Sequence, residues 1–239
     1  MVDQGVVITG TDTGVGKTVV AAALAALWRG DGHEVTYVKP VQSGTAEGDD
    51  DAALVELLAR VATVTGPRVR PSLAPGVAAR LAREELPRRA LVATVRDAAP
   101  PPMRLVVEGA GGLLVELGSD GTTLADLCGD LGLPLLVVAR PGLGTLNHTT
   151  LTVEAITRRG LGFLGVVVCR YPSAPDLASR TNLAELDRIA GDRLVGVVPE
   201  LNLQGRDPLS PCGSWFGPAL GGTWDKTSAL SQGLQSSCE

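Results

Sequence analysis

The sequence predicts a single α/β domain, doubly wound around a mostly parallel sheet. Three observations carry this expectation. Apolar runs of four to six residues alternate with helical patterns, as βαβ units require. A length of 239 residues suits one core, whereas two halves would each bury too little surface. A hydrophobic content of 44% with only 3% aromatics describes a core of Val, Leu and Ala.

The elements follow in order. Residues 6–9 read as a first buried strand, and residues 18–28, rich in Ala and Leu, as a helix. A second strand is expected at 35–39, then a loop at 40–48 and a helix over 50–62. The stretch 66–102 is rich in Pro and Arg, with helical patterns at 77–85 and 91–98. A buried strand at 105–108 ends in an acid and is followed by a short helix at 123–131. Strands at 134–139, 163–168 and 194–198 then alternate with helices at 146–158 and 176–190. The rhythm stops there. One domain over 1–225 and a polar, disordered tail over 226–239, rich in Ser and Gln, are expected.

Composition excludes several classes of function. A net charge of −5 with scattered basic residues argues against nucleic-acid binding, which needs a basic face. No apolar run approaches the roughly 20 residues that span a bilayer, so no membrane association is expected. The start, with its acid at Asp3, has no charged-then-apolar leader pattern. Cys128, Cys169, Cys212 and Cys238 are widely separated, which argues against disulfides or zinc and for the cytoplasm. Of 21 Lys and Arg residues only Lys17, Lys39 and Lys226 are Lys. Where Arg is the habitual cation, a Lys suggests a need for a compact ammonium.

Two of those lysines fall in motifs. The first strand runs into Gly10-Thr-Asp-Thr-Gly-Val-Gly-Lys-Thr18 and then a helix. Backbone N–H groups of such a turn, with the positive end of the helix, cradle phosphate oxygens. Lys17 would reach the outer phosphates, and the Thr18 hydroxyl would face magnesium. The strict spacing fails by one place, because Thr11 stands where the first Gly belongs. The fold is therefore expected to be P-loop NTPase-like. Glu108 ends its strand before Gly109-Ala-Gly-Gly112, at the carboxyl edge of the sheet where ligands sit. That is also where such proteins keep a magnesium-facing acid. The triplet Asp49-Asp50-Asp51 precedes a helix, and on spacing alone helix capping is its better reading.

Four segments together resemble the dethiobiotin synthetase family. They are residues 10–18, Lys39-Pro-Val-Gln-Ser-Gly44, Glu108-Gly-Ala-Gly-Gly112 and Leu143-Gly-Thr-Leu-Asn-His148. The resemblance implies a homodimer that uses ATP, or other nucleoside triphosphates, with magnesium. It also implies 7,8-diaminononanoate and CO2 as substrates and the ureido ring of dethiobiotin as product.

Carried over by position, Lys17, Lys39 and Thr13 face the reacting carbamate and phosphate. Gly14, Val15, Gly16, Lys17, Thr18 and Val19 hold the nucleotide, and Thr18, Asp51 and Glu108 surround the metal. Gly109, Ala110 and Gly111 lie beside substrate or nucleotide, and Ser43 contacts substrate. Leu146 and Asn147, from the partner subunit, meet the substrate carboxylate. Pro199, Glu200 and Leu201 border the base.

Two departures from the family pattern stand out. Gly14 replaces a frequent Glu in the loop, and Cys169 stands where some members have an Asn that reads adenine. A thiol is a weak donor and acceptor, and the neighbouring Arg170 offers donors only. Weak discrimination among triphosphates, within roughly tenfold of ATP (about 1.4 kcal/mol), is the expectation. His33 is expected to be solvated in a turn, and His148 to face a dimer surface.

The rival reading is a partition or metal-insertion ATPase of the same fold, acting as a switch. Such proteins carry a second lysine five residues before the loop lysine, where Asp12 stands here. A GTPase would need an Asn-Lys-x-Asp motif, which three lysines at these positions do not supply. A glutamine-dependent amidoligase would need a further domain with a Cys nucleophile.

Overall fold

Seven strands, all parallel, lie in the order β3-β2-β4-β1-β5-β6-β7 in the computed structural model. The structure describes residues 4–48, 50–98, 103–203, 209 and 212–235. Asp49, one of the three candidate acids, and residues 236–239 of the expected tail lie outside them. The strands are β1 (Gly5–Gly10), β2 (Val35–Lys39), β3 (Ala62–Thr65), β4 (Arg104–Gly112), β5 (Leu135–Ala139), β6 (Phe163–Tyr171) and β7 (Leu194–Pro199). The helices are α1 (Lys17–Gly30), α2 (Asp51–Ala59), α3 (Pro75–Ala82), α4 (Arg88–Ala98), α5 (Leu124–Leu131), α6 (Thr145–Arg158), α7 (Leu177–Ile189) and α8 (Lys226–Gln235). Single 3-10 turns at Gly213–Trp215 and Pro218–Leu220 precede α8.

Side chains alternate across a strand, so each buried strand feeds two cores. In β1, Val6 and Ile8 pack with α1 and α2 on one face, while Val7 packs with the core on the other. Each such side chain contributes about 1.5–3 kcal/mol by leaving water. Helix α1 is held by its Ala and Leu side and by Trp28, whose indole Nε1 donates to the Leu220 carbonyl at 2.9 Å.

Topology brings the motifs together. Strand β4 lies between β1 and β2, with Glu108 beside Ile8 and Val107 beside Val38. The loop after β1, the end of β2 and the middle of β4 thus share one edge of the sheet.

Three of the departures from the expected elements matter most. Helix α2 ends at Ala59 because Arg60 takes a left-handed cap, and the next residues form the edge strand β3. Strand β4 continues past Glu108 to Gly112, whose partner is Gly10, so Glu108 sits mid-strand. Residues 226–235 of the expected disordered tail form α8. Asp225 accepts from Thr227 N at 3.0 Å at its start, and Lys226 Nζ reaches Asp187 Oδ1 at 3.1 Å and the Asp192 carbonyl at 2.9 Å.

Candidate active site

The loop between β1 and α1 owes its shape to glycine. Gly14 and Gly16 have φ of 73° and 103°, a left-handed region that favours residues without Cβ. At Gly10 a Cβ would come within 2.7 Å of the Asp12 carbonyl and 2.8 Å of Val15 Cγ2. Lys17, only 7% exposed, folds back so that its Nζ donates to the Asp12 carbonyl at 3.0 Å. Burial lowers its pKa, with the nearby Lys39 charge adding to the effect, while Glu108 and Asp51 oppose it.

Beneath the loop lies a floor of opposed charges. Lys39, at the end of β2 and 3% exposed, has its Nζ 2.6 Å from Asp51 Oδ2 and 3.0 Å from Glu108 Oε1. It also donates to the Gly109 carbonyl at 3.1 Å. Burial alone would depress the ammonium, but the Glu108 and Asp51 carboxylates outweigh it and hold its pKa above the usual lysine value. Desolvation would likewise raise the Asp51 carboxyl, and Lys39 more than offsets it, leaving the pKa below the usual range. Thr18 Oγ1 donates towards both acids, at 3.1 Å from Asp51 Oδ1 and 3.0 Å from Glu108 Oε1. One hydroxyl and two carboxylates therefore converge beside Lys17.

The floor opens into a cleft of about 550 Å³. Thr13, Gly14, Gly16, Val19, Ser43, Ala110 and Gly111 line it together with Lys17, Thr18, Lys39, Asp51 and Glu108. Val15 is buried under the loop. Asp50 and Asp51 divide the two roles weighed for the acidic triplet. Asp50 caps α2 by accepting from Ala53 N at 3.0 Å, and Asp51 turns into the cleft.

Other expected residues lie elsewhere. Pro199, Glu200 and Leu201 border a second cleft of about 660 Å³, with Tyr171, Trp215 and Trp224. Leu146 and Asn147 sit in the first turn of α6 and line neither cleft. The Cys169 thiol, expected near the base, lines neither cleft. It is fully buried under the phosphate loop, where a Cβ on Gly16 would meet its Sγ at 2.5 Å. Apolar surroundings push its pKa up to about 11. A thiol so buried offers no accessible polar group for the selection of a base. Arg170 Nη1 donates to the Gly14 carbonyl at 3.2 Å.

Several residues of the site went unread in the sequence, Tyr37 and Gln42 among them. The Tyr37 hydroxyl donates to Glu108 Oε2 at 2.9 Å, and Gln42 accepts from Asp51 N at 3.3 Å through Oε1. Tyr37 stands two residues before Lys39 on β2, and the period of a strand puts both on one face. That signal was available.

A glycine-shaped loop between a buried parallel strand and a helix, with a lysine and a threonine at the helix start, defines a P-loop nucleotide-binding protein. A family model described as an AAA domain matches residues 4–206. The chain is 50% identical over 186 residues to the ATP-dependent dethiobiotin synthetase BioD of Mycolicibacterium vanbaalenii, covering 77% of this chain and 82% of that protein. It is 44% identical over 234 residues to the protein of the same name from Streptomyces avermitilis, covering 92% and 94%. The chain belongs to the dethiobiotin synthetase family.

Two solved structures share the fold. One is the MinC:MinD cell division protein complex of Aquifex aeolicus, with TM-score 0.55, 13% identity, and 99% and 96% of the two chains covered. The other is a ParA family ATPase from Chlorobium tepidum, with TM-score 0.54, 13% identity, and 97% and 98% covered. At such identities the likeness is one of fold alone, and the switch-ATPase reading is not favoured.

Proposed function

We propose that this chain is an ATP-dependent dethiobiotin synthetase acting in biotin biosynthesis, a cyclo-ligase that closes a ureido ring on 7,8-diaminononanoate with CO2. The observation that carries this reading is the buried Lys39 ammonium beside Lys17, at the floor of the phosphate-loop cleft. Two fixed cations there suit a reaction whose charge gathers on carbamate and phosphoryl oxygens.

The steps balance as follows. One substrate amine adds to CO2, forming an N–C bond and losing a proton to give a carbamate. A carbamate oxygen attacks the γ-phosphorus of ATP, and ADP leaves. The second amine attacks the carbonyl carbon of the mixed carbamic–phosphoric anhydride, and inorganic phosphate leaves as the ring closes. Lys17, with Thr13 near it, steadies the transferred phosphoryl group, and Lys39 the carbamate oxygen. Glu108 and Asp51 keep Lys39 charged, and Tyr37 orients Glu108. Ser43 contacts the substrate, Gly109, Ala110 and Gly111 flank it or the nucleotide, and Pro199 to Leu201 border the base.

Magnesium belongs to the proposal. The donor set fits it: hard oxygens from Thr18, Asp51 and Glu108, with room left for phosphate and water ligands. When bound, the ion supplies positive charge at the phosphates.

A homodimer is also proposed, with Leu146 and Asn147 of each subunit meeting the substrate carboxylate of the other. In its support, Leu143 is 82% exposed, and Leu151 on α6 and Leu177 on the adjoining α7 are also exposed. Thr145 Oγ1, His148 Nδ1 and Thr149 Oγ1 on α6 are buried with no hydrogen-bond partner among the described residues. A cytoplasmic setting accords with the buried thiols of Cys128 and Cys169, neither of which is in a disulfide. No described helix is long and apolar enough to cross a membrane.

The test is phosphate release by the purified protein with ATP, magnesium and bicarbonate, with and without the diamine. Release that depends on 7,8-diaminononanoate supports the reading. Release at the same rate without it would defeat it.

A further inference from the structure

Among the described residues, four that are not glycine have left-handed backbone: Arg60, Arg83, Arg170 and Asp192. Arg60 and Arg83 end helices, and Asp192 lies in the bend after α7. Among the described non-glycine residues only Arg170, at φ 62°, is left-handed inside a strand. A bulge accompanies it. Val168 pairs with Val197 and Tyr171 with Pro199, so β6 carries one residue more than β7 across this interval. Bulges of this kind re-aim a side chain and concentrate beside functional sites, and an unfavourable φ persists only where its surroundings enforce it.

The side chain so re-aimed lies along the phosphate loop. Its Cγ is 3.7 Å from where a Cβ on Gly16 would stand, and its Nη1 donates to the Gly14 carbonyl at 3.2 Å. Beneath the same glycine sits the buried Cys169 Sγ. Gly16 is thus bounded by two consecutive residues of β6, one below and one alongside. The exposed Arg170 is bonded to Gly14, which lines the phosphate cleft, and is followed by Tyr171, which lines the second cleft. The loop must hold its N–H groups at fixed angles to cradle phosphate, and a carbonyl anchored by a forked cation resists rotation of its peptide.

We propose that Arg170 is a positioning residue for the phosphate loop. It acts on the triphosphate through the Gly14 carbonyl and has no part in reading the base. The inference rests on the reading of this cleft as a nucleoside triphosphate site.

The test measures calorimetric affinities of wild type, Arg170→Ala, Arg170→Gly and Arg170→Lys for ATP, GTP, CTP, UTP and inorganic triphosphate, each with magnesium. Gly adopts the φ of 62° without strain, so Arg170→Gly keeps the bulge while removing the guanidinium. Ala and Gly are expected to weaken all five ligands by the same factor, about tenfold, the scale of one charge-assisted hydrogen bond. Lys, a single donor, is expected to recover part of the loss. With nucleotide saturating, kcat should be unchanged and KM for the triphosphate raised. Losses that differ from base to base, or that spare inorganic triphosphate, would overturn the proposal and make Arg170 a base or ribose contact. Unchanged affinities would overturn it too. If the wild type binds triphosphates yet never turns over the diamine, the proposed function falls while this inference is still decided by the variants.

Discussion

Removing the Lys39 ammonium would leave Glu108 and Asp51 facing each other across a buried floor without their counter-charge. Lys39→Gln is therefore expected to act twice. Turnover should fall by about 10²–10³, the usual loss for a charge-stabilising donor. Stability should fall by roughly 3 kcal/mol, because breaking a buried ion pair strands its partners. Rapid-quench turnover and a thermal melt would separate the two effects, and wild-type turnover in a folded variant would contradict the first. The acids make a second prediction. Asp51→Ala and Glu108→Ala should each raise the magnesium concentration needed for half-maximal turnover, since each removes a hard oxygen. An unchanged magnesium dependence in both would remove them from the metal site.

At this scale the sequence was readable where a motif fixes spacing, as at Lys17, Thr18 and Lys39. It was ambiguous at Asp50 and Asp51, because adjacent acids at a helix start look alike until the backbone turns one outwards and one inwards. At Cys169 it aligned a residue with a base-reading position but could not show that the side chain is buried.

Strands and helices with strong periodicity were legible to within a few residues, and β2 agreed end to end. The misses have local causes. Residues 62–65 make a four-residue edge strand, too short to distinguish from the last turn of the preceding helix. Helix α8 was hidden by its polar composition. Its stability comes from Asp225 at its start and from the ion pair of its own Lys226 with Asp187 of α7, contacts that composition does not reveal. This gives Lys226, the third lysine, a structural use. Lys226→Met should cost about 1 kcal/mol, the scale of a partly exposed ion pair. For a chain of this length that is about 2–4 °C in Tm. Limited proteolysis should then cut the C-terminal helix faster, whereas an unchanged melt and cleavage pattern would show that α8 is held by other contacts.

The order of the strands was not legible as a whole. Alternating elements announce a doubly wound sheet, but only tertiary contacts set β4 between β1 and β2, and that single adjacency brings Glu108 to Lys39. The proposed dimer makes a prediction at the same scale. Asn147 and Leu151 stand one turn apart on α6, so they share a face. Leu151→Glu should put an uncompensated charge into an apolar contact and shift the protein to monomer in sedimentation, with turnover lost alongside. A monomer of full activity would show that each subunit holds a complete site. The fate of the carbon tests the proposed reaction most directly. With ¹³C-bicarbonate, ATP, magnesium and 7,8-diaminononanoate, mass spectrometry should find the label in a cyclic urea formed in step with inorganic phosphate. Phosphate released without labelled cyclic urea would contradict the account.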